Sequence, residues 1–551
     1  MSAAANEPSS SSSHPAEPQT TTSPPVAILD IGDHRNETVI QTLYNLLIRP
    51  HEKLVVATDA DFDFDLDVQT MDLNVVLNAM AYVSSVSLED RIALSVTEAQ
   101  DKLTFHISRE LDDQQPDDLV AFWKEQWLRF RVLSKNLTHC HARDDLGYFD
   151  SEVGLSPVAV ATTEDIVEAI ILRGVPKLRV LLEDYKFSYE YGWLSYYWRC
   201  ILDPVHRDLY KVLDKMHLLL SRLQKLLAVT EINKPVLVST TRQLLALKEE
   251  YEREEDVWLE KHADRAAYRD YVEHGGPKPK IDYAQTLYER LSRCAVLPMH
   301  AIILLSFAKS PEFLPWVDFK FEVIPISCPK MRLQYTERPA AKWSRWMQQA
   351  VLGFESESPL LRTRGIHYAS EAAKRVKKCP TFDACVHAEC ALLEYHHNAC
   401  VRASREKTDF TLPGPYVACS HPPCLACRCY FKTYSQSPAD VLGLKLNLRY
   451  FAGDITGRGW LLPDLEGDSD VLEFHRLLKN SLAEFYSKFL ICIGTRGKAR
   501  KEWVAYPHIE FVARNEWDHR LRWGVADGNC FPAITHFELF EKDLSLHESI
   551  D

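Results

Sequence analysis

The 551-residue sequence has no uninterrupted apolar run of the 18 or more residues that a membrane-crossing helix needs. Its nearest approach, residues 295–307, is short and carries Pro298 and His300, which fits a buried helix better than a span. The opening stretch, MSAAANEPSSSSSHPAEPQTTTSPP, lacks both a basic start and an apolar core, so no secretory signal is expected there. Positive charge is also in short supply. There are 64 Lys+Arg against 78 Asp+Glu, a formal charge of −14. Such a chain is a poor non-specific binder of duplex DNA, although a local basic surface stays compatible with it. No segment repeats at a fixed period. The alternating aspartates Asp59, Asp61, Asp63, Asp65 and Asp67 lack the sixth-position glycine and twelfth-position glutamate of a calcium loop, so a solvated acidic loop is expected.

What is present reads as globular. Apolar residues make up 46% and charged residues 26%. The length allows about two to four domains at roughly 100–200 residues each. Fourteen cysteines without a secretory signal are expected to be reduced thiols, some buried and some metal-bound, rather than a disulfide framework. The expected location is cytoplasmic or nuclear, with no membrane association.

Composition divides the chain. Residues 1–26 are rich in Ser, Thr, Pro and Glu and form an expected disordered tail. Residues 27–314 read as a mainly helical domain. After Asp203-Pro204, the residues Leu209, Val212, Leu213, Met216, Leu220, Leu223 and Leu227 recur at steps of three and four, one apolar stripe on one helix. A second long helix is expected from near Ser239 to the stop signal Gly275-Gly276-Pro277, packing through Leu244, Leu247, Tyr251 and Trp258. Any protein partner is expected to dock through this region. From about residue 315 the texture changes to strands alternating with helices, an α/β pattern. Expected strands cover 318–327, 416–419 and 447–451. Expected helices cover 342–351, 383–399 and 469–490, with one more opened by Pro422-Pro423. This unit is taken to run over 315–515, with a C-terminal extension at 516–551.

Two short motifs in this half carry chemistry. His387-Ala388-Glu389 precedes Pro423-Cys424-Leu425-Ala426-Cys427. Alone, each is weak: with 14 cysteines in 551 residues, chance gives about 0.4 C-x-x-C pairs. H-x-E also occurs at His508 and His536, but only His387 lies upstream of the cysteine pair. A C-x-x-C at a helix start places both thiols near first-turn amides, which favour the thiolates. A histidine from another helix makes a third ligand. Three protein ligands leave a tetrahedral zinc one position for water, whose pKa then falls to about 7. Glu389, two residues past His387, is placed to take a proton from that water and hand it to a leaving group.

The stretches VHAECALLEY and YVACSHPPCLACRCYFK together resemble the zinc-dependent nucleic acid/nucleotide deaminase superfamily. More narrowly they are similar to a divergent branch of large proteins from fungi and some intracellular bacteria, as is GDITGRGWLLP at 453–463. The resemblance spans about 80 residues. It implies His387, Cys424 and Cys427 as ligands of Zn2+ and Glu389 as the catalytic proton shuttle. It also implies a mixed α/β fold, a three-layer α/β/α domain with a mixed sheet attached to the large helical N-terminal region. The implied activity is hydrolytic deamination of a base in a nucleotide or single-stranded nucleic acid.

The competing reading is a catalytically inactive interaction protein with a closed, structural zinc. That site needs a fourth ligand, for which Cys419, Cys429, His396, His397 and His421 are close in sequence, with Cys385 and Cys390 as further thiols. His396-His397 is expected to be a solvated or packing pair, and His139-Cys140-His141 lacks a partner cluster. Between 361 and 440 basic residues outnumber acidic ones by 11 to 7, with Arg362, Arg364, Lys374, Arg375, Lys377 and Lys378 clustered upstream of the motif. They form either a phosphate-facing surface or a solvated helix face.

Overall fold

The computed structural model describes residues 25–30, 35–49, 73–110, 116–137, 156–183, 207–262, 279–339, 341–343, 345–346, 359–437, 444, 446–448, 459–467 and 469–499. Residues 1–24, the acidic run at 59–67, His139-Cys140-His141, most of the helix expected at 342–351 and the extension at 516–551 lie outside the described residues. The strands are β1 (Val26–Leu29), β2 (Ile92–Ala99), β3 (Lys102–Arg109), β4 (Lys320–Ser327), β5 (Lys330–Tyr335), β6 (Thr381–Cys385), β7 (Tyr416–Cys419), β8 (Asn447–Leu448) and β9 (Gly459–Trp460). The α-helices are α1 (Asn36–Thr42), α2 (Leu73–Ser84), α3 (Pro116–Lys135), α4 (Pro157–Arg173), α5 (Val175–Glu183), α6 (Arg207–Ala228), α7 (Lys234–His262), α8 (Pro279–Lys309), α9 (Pro359–Lys378), α10 (Ala388–Glu406), α11 (Leu425–Ser435) and α12 (Ser469–Ala499). A π-helical turn, Leu43–Ile48, continues α1.

Two mixed sheets result, ordered β4-β3-β2-β7-β8 and β1-β5-β6-β9. In the first, β2 is antiparallel to both β3 and β7, while β4 and β8 lie parallel to their neighbours. Side chains alternate along a strand, and here the alternation separates two cores. Ile92, Leu94, Val96, Leu103, Phe105 and Ile107 enter one, beside Trp123, Trp127 and Phe313. There Trp127 stacks on Phe321 with centroids 4.5 Å apart and meets Phe105 edge-on at 5.6 Å. The intervening residues, Ala93, Ser95, Thr97, Thr104, His106 and Ser108, are small or polar. They face α10, where Ser95 Oγ and His396 Nε2 are 2.8 Å apart. Small side chains on this face let the helix approach closely.

The expected division at 314/315 does not separate the sheets. Strands β3 and β4 pair in parallel from Lys102↔Lys320 to Arg109↔Ser327, and α3 to α8 form an excursion between them. The helical region is therefore an insertion between adjacent strands, not a domain that precedes the sheet. The sequence hides this because the β2–β3 turn is Gln100-Asp101, without the Asn-Gly or Gly pair that marks a tight hairpin. The expected tail is also one residue too long: Val26 opens β1, paired with Arg332 across the chain.

Within the excursion the α6 stripe is buried at Val212, Leu213, Met216, Leu220, Leu223 and Leu227, as are Leu244, Leu247 and Tyr251 of α7. Residues 290–309 of α8 are long and apolar enough to cross a membrane by composition. In this structure they are mostly buried and pack on α2, α4 and α7. Farther on, 383–399 is not one helix. Asp383, Ala384 and Cys385 finish β6, and α10 begins only at Ala388, because β6 is claimed by pairing with β5 from Lys330↔Cys385 onward.

Strand β9 closes the second sheet against β6, with Cys385↔Trp460 in register. The approach is tight: a Cβ on Gly459 would lie 2.8 Å from the Asp383 carbonyl oxygen, so only glycine fits. The far edge of β9 is held by Asn45. Asn45 Nδ2 donates to the Trp460 carbonyl at 2.8 Å, and Trp460 N donates to Asn45 Oδ1 at 2.9 Å. Asn45→Ala removes both partners from buried backbone groups, at about 1–3 kcal/mol each. Denaturant unfolding should show a loss of about 2–4 kcal/mol with an unchanged m-value, and a loss below about 1 kcal/mol would contradict this tie.

Candidate metal centre

The strand–helix junctions build the site. His387 is the N-cap of α10, two residues past β6, with extended backbone (φ −68°, ψ 151°) and no side-chain capping bond of its own. Its imidazole is thus free to turn away from the helix. Cys424 is the N-cap of α11, and Pro422-Pro423 set the chain's approach. Its sulfur accepts from Cys427 N at 3.5 Å, a cap bond made by a thiol in place of a hydroxyl. Cys427 follows in the first turn of α11. Two helix N-termini therefore bring their unpaired amides and dipoles to one point, which stabilises negative charge there.

The structure brings the three expected ligands together. Cys424 Sγ lies 3.3 Å from Cys427 Sγ, and His387 Nδ1 lies 3.5 and 3.4 Å from the two sulfurs. A tetrahedral zinc with Zn–S of about 2.3 Å and Zn–N of about 2.0 Å would span S···S of about 3.8 Å and S···N of about 3.5 Å. The observed edges lie at or just inside these values. All three residues are buried, and Glu389 is only 5% exposed. No fourth His, Cys, Asp or Glu among the described residues shares the 4.8 Å mutual distance of this group.

The electrostatics fit a site for a cation. Burial pushes the Cys424 thiol up, but the Cys427 thiol, the His387 charge and the Tyr44 hydroxyl outweigh it and hold Cys424 well below the usual thiol range. Burial, the Cys390 thiol and the Cys424 thiolate push Cys427 up, since a second negative charge beside the first is costly. Burial opposes a charge on His387, yet Glu110 and the Cys424 thiolate raise it to about 9. Positive charge on His387 and negative charge on Cys424 thus favour each other, and a metal ion would take the proton's place between them. Burial pushes the Glu389 carboxyl up, with the nearby His387 charge opposing it.

The other sequence-nominated groups are occupied elsewhere. His396 Nε2 is taken by Ser95, and His397 joins Tyr434 Oη at 2.9 Å and the Glu466 carbonyl at 2.8 Å. This pair is buried packing and not solvated. His421 Nδ1 faces Ser420 Oγ at 2.8 Å. Cys419 and Cys429 stay outside the three-residue group, whereas Cys390 lends its thiol to Cys427 from the first turn of α10. In the basic cluster, Lys374 pairs with Glu371, Arg375 donates to the Leu46 carbonyl, and Lys377 and Lys378 are exposed. The side chains of Arg362 and Arg364 lie outside the described residues.

Two site residues escaped the sequence. Glu110, 2% exposed, accepts from Ala388 N at 3.3 Å across 278 positions, and its own N–H donates to the Arg91 carbonyl at 3.1 Å. Arg91 sits at the same open end of the β2–β3 hairpin. Burial lowers its pKa, but Glu110, Cys424 and Glu389 more than compensate, so it stays a fixed cation beside the thiolate. Only knowledge of the hairpin could have nominated them.

A family model of deaminase type, OTT_1508_deam (a "-like deaminase"), matches residues 386–453. The matched stretch holds His387, Glu389, Cys424 and Cys427, and over it the chain is similar to that deaminase family. No curated protein and no solved structure matches the chain. Replacing a ligand should empty the site. Purified His387→Ala, Cys424→Ser and Cys427→Ser should each fall from about one metal per chain to near zero by elemental analysis, whereas Cys419→Ser and Cys429→Ser should keep it. Retention in any of the first three would contradict the assignment.

Proposed function

We propose that the chain is a zinc-dependent hydrolytic deaminase acting on a nucleobase carried by a nucleotide or a single-stranded nucleic acid. One observation carries the reading: His387, Cys424 and Cys427 converge within 3.3–3.5 Å inside the stretch that matches a deaminase family. The donor set, two sulfurs and one imidazole nitrogen, suits zinc in chemistry and in edge length. Zinc, when bound, supplies Lewis acidity that makes water a nucleophile near neutral pH.

The chain's own residues do the rest. His387, Cys424 and Cys427 would hold the ion, and among the described residues no fourth His, Cys, Asp or Glu joins them. Glu389, in the first turn of α10, faces the same buried volume, and its burial raises its proton affinity. A carboxyl with raised pKa can take a proton from the attacking water and give it to the departing amino group, which leaves as ammonia. Burial excludes bulk water from this exchange.

One observation favours the closed-zinc alternative, namely the Cys390 thiol beside Cys427. A single set of variants separates the readings. Ammonia release is measured with cytosine- and adenine-bearing nucleosides, nucleotides and single-stranded RNA and DNA. Glu389→Gln should keep about one zinc yet lose about 10²–10⁴-fold in kcat, and Cys390→Ser should keep both zinc and activity. Zinc lost in Cys390→Ser, with no ammonia from any substrate of the wild-type chain, would establish the structural zinc instead.

A further inference from the structure

We propose that Glu110 is a positioning residue of the metal centre: its carboxylate lies beside the His387 ring, placed to accept from the outer ring nitrogen once the inner one binds a metal, while it caps the helix that His387 begins. The inference rests on the metal-site reading above. Three observations carry it. His387 Nδ1 already faces Cys424 and Cys427 at 3.5 and 3.4 Å, and His387 Nε2 is buried with no hydrogen-bond partner. A Glu110 carboxylate oxygen, Cys385 Sγ and a His387 ring nitrogen lie within 4.8 Å of one another. The Glu110 carboxylate is anchored at Ala388 N, the first amide of α10, by its 3.3 Å bond.

The chemistry follows from the tautomer. A neutral imidazole carries one N–H. If the proton sits on Nδ1, the lone pair facing the sulfurs is blocked and no metal can bind there. An anionic acceptor near Nε2 draws the proton to that side and leaves Nδ1 open. A buried carboxylate is costly unless it is satisfied, and here Ala388 N and the neighbouring Arg91 cation satisfy it. Cys385 is the weaker acceptor of the two groups near the ring. Glu110 follows β3 and His387 follows β6, so this contact also ties the two sheets together at the site.

The test uses the full chain as wild type, Glu110→Gln and Glu110→Asp, stripped of metal and reloaded. Zinc affinity is read by competition with a chromophoric chelator, and geometry by the visible spectrum of the Co2+ form. Glutamine keeps the volume and the acceptor for Ala388 N but loses the charge. Glu110→Gln should keep the melting temperature of the metal-free protein, weaken zinc binding about 10–100-fold and shift the cobalt spectrum, with Glu110→Asp recovering part of the loss. Unchanged affinity and spectrum in Glu110→Gln would overturn the proposal. A lowered metal-free melting temperature with an unchanged cobalt spectrum would also overturn it, reducing Glu110 to a structural tie. So would a fall from about one metal per chain in the wild type to near zero in Glu110→Gln, which would make Glu110 a ligand. A wild-type chain that takes up neither ion fails the metal reading itself, and that arm alone distinguishes the two failures.

Discussion

Two thiols and an imidazole can share one dry point only if their charge is offset and their lost hydration replaced. That requirement organises this structure. The N-termini of α10 and α11 meet at the point, each with unpaired amides. Arg91 adds a fixed positive charge, and the Tyr44 hydroxyl bonds the Cys424 sulfur. These groups come from four separate stretches of chain, so the site exists only when the whole assembly around the sheets is formed.

The fold supplies the convergence through two short strand–helix junctions. β6 leads to His387 and β7 leads to Cys424, but the two strands belong to different sheets. What relates them is α10, which lies on the small, polar face of β2 and β3 and packs against α11. The bulky face of the same strands holds the Trp127–Phe321 aromatic cluster. One hairpin thus presents large apolar side chains to the helical insertion and small ones to the helix that begins at His387. Trp460, from the glycine–tryptophan segment, is fully buried beside Tyr44 and Tyr430, so it packs the wall behind the site.

The sequence shows the local parts well and the distant ones poorly. H-x-E and P-C-x-x-C pick out the three residues that converge because metal geometry constrains residue type and spacing over a few positions. The strands at 320–327 and 416–419 and the α6 stripe are legible because each has a clear two- or 3.6-residue period. The β2–β3 hairpin is not: both of its faces are buried, its turn lacks glycine, and helices flank it. Missing that hairpin conceals three things at once. It makes the helical region look like a separate domain, leaves the sheet without its centre, and hides Glu110 and Arg91. Their value depends on pairing across hundreds of positions, which no local pattern encodes.

The central claim is an open three-ligand metal site. It is tested most directly by X-ray absorption at the zinc edge on the purified full-length protein. The account predicts two sulfur neighbours at about 2.3 Å and two nitrogen or oxygen neighbours at about 2.0 Å, one of them exchangeable with an added anion. Three or four sulfurs in the first coordination sphere, or a protein that binds no zinc, would contradict it.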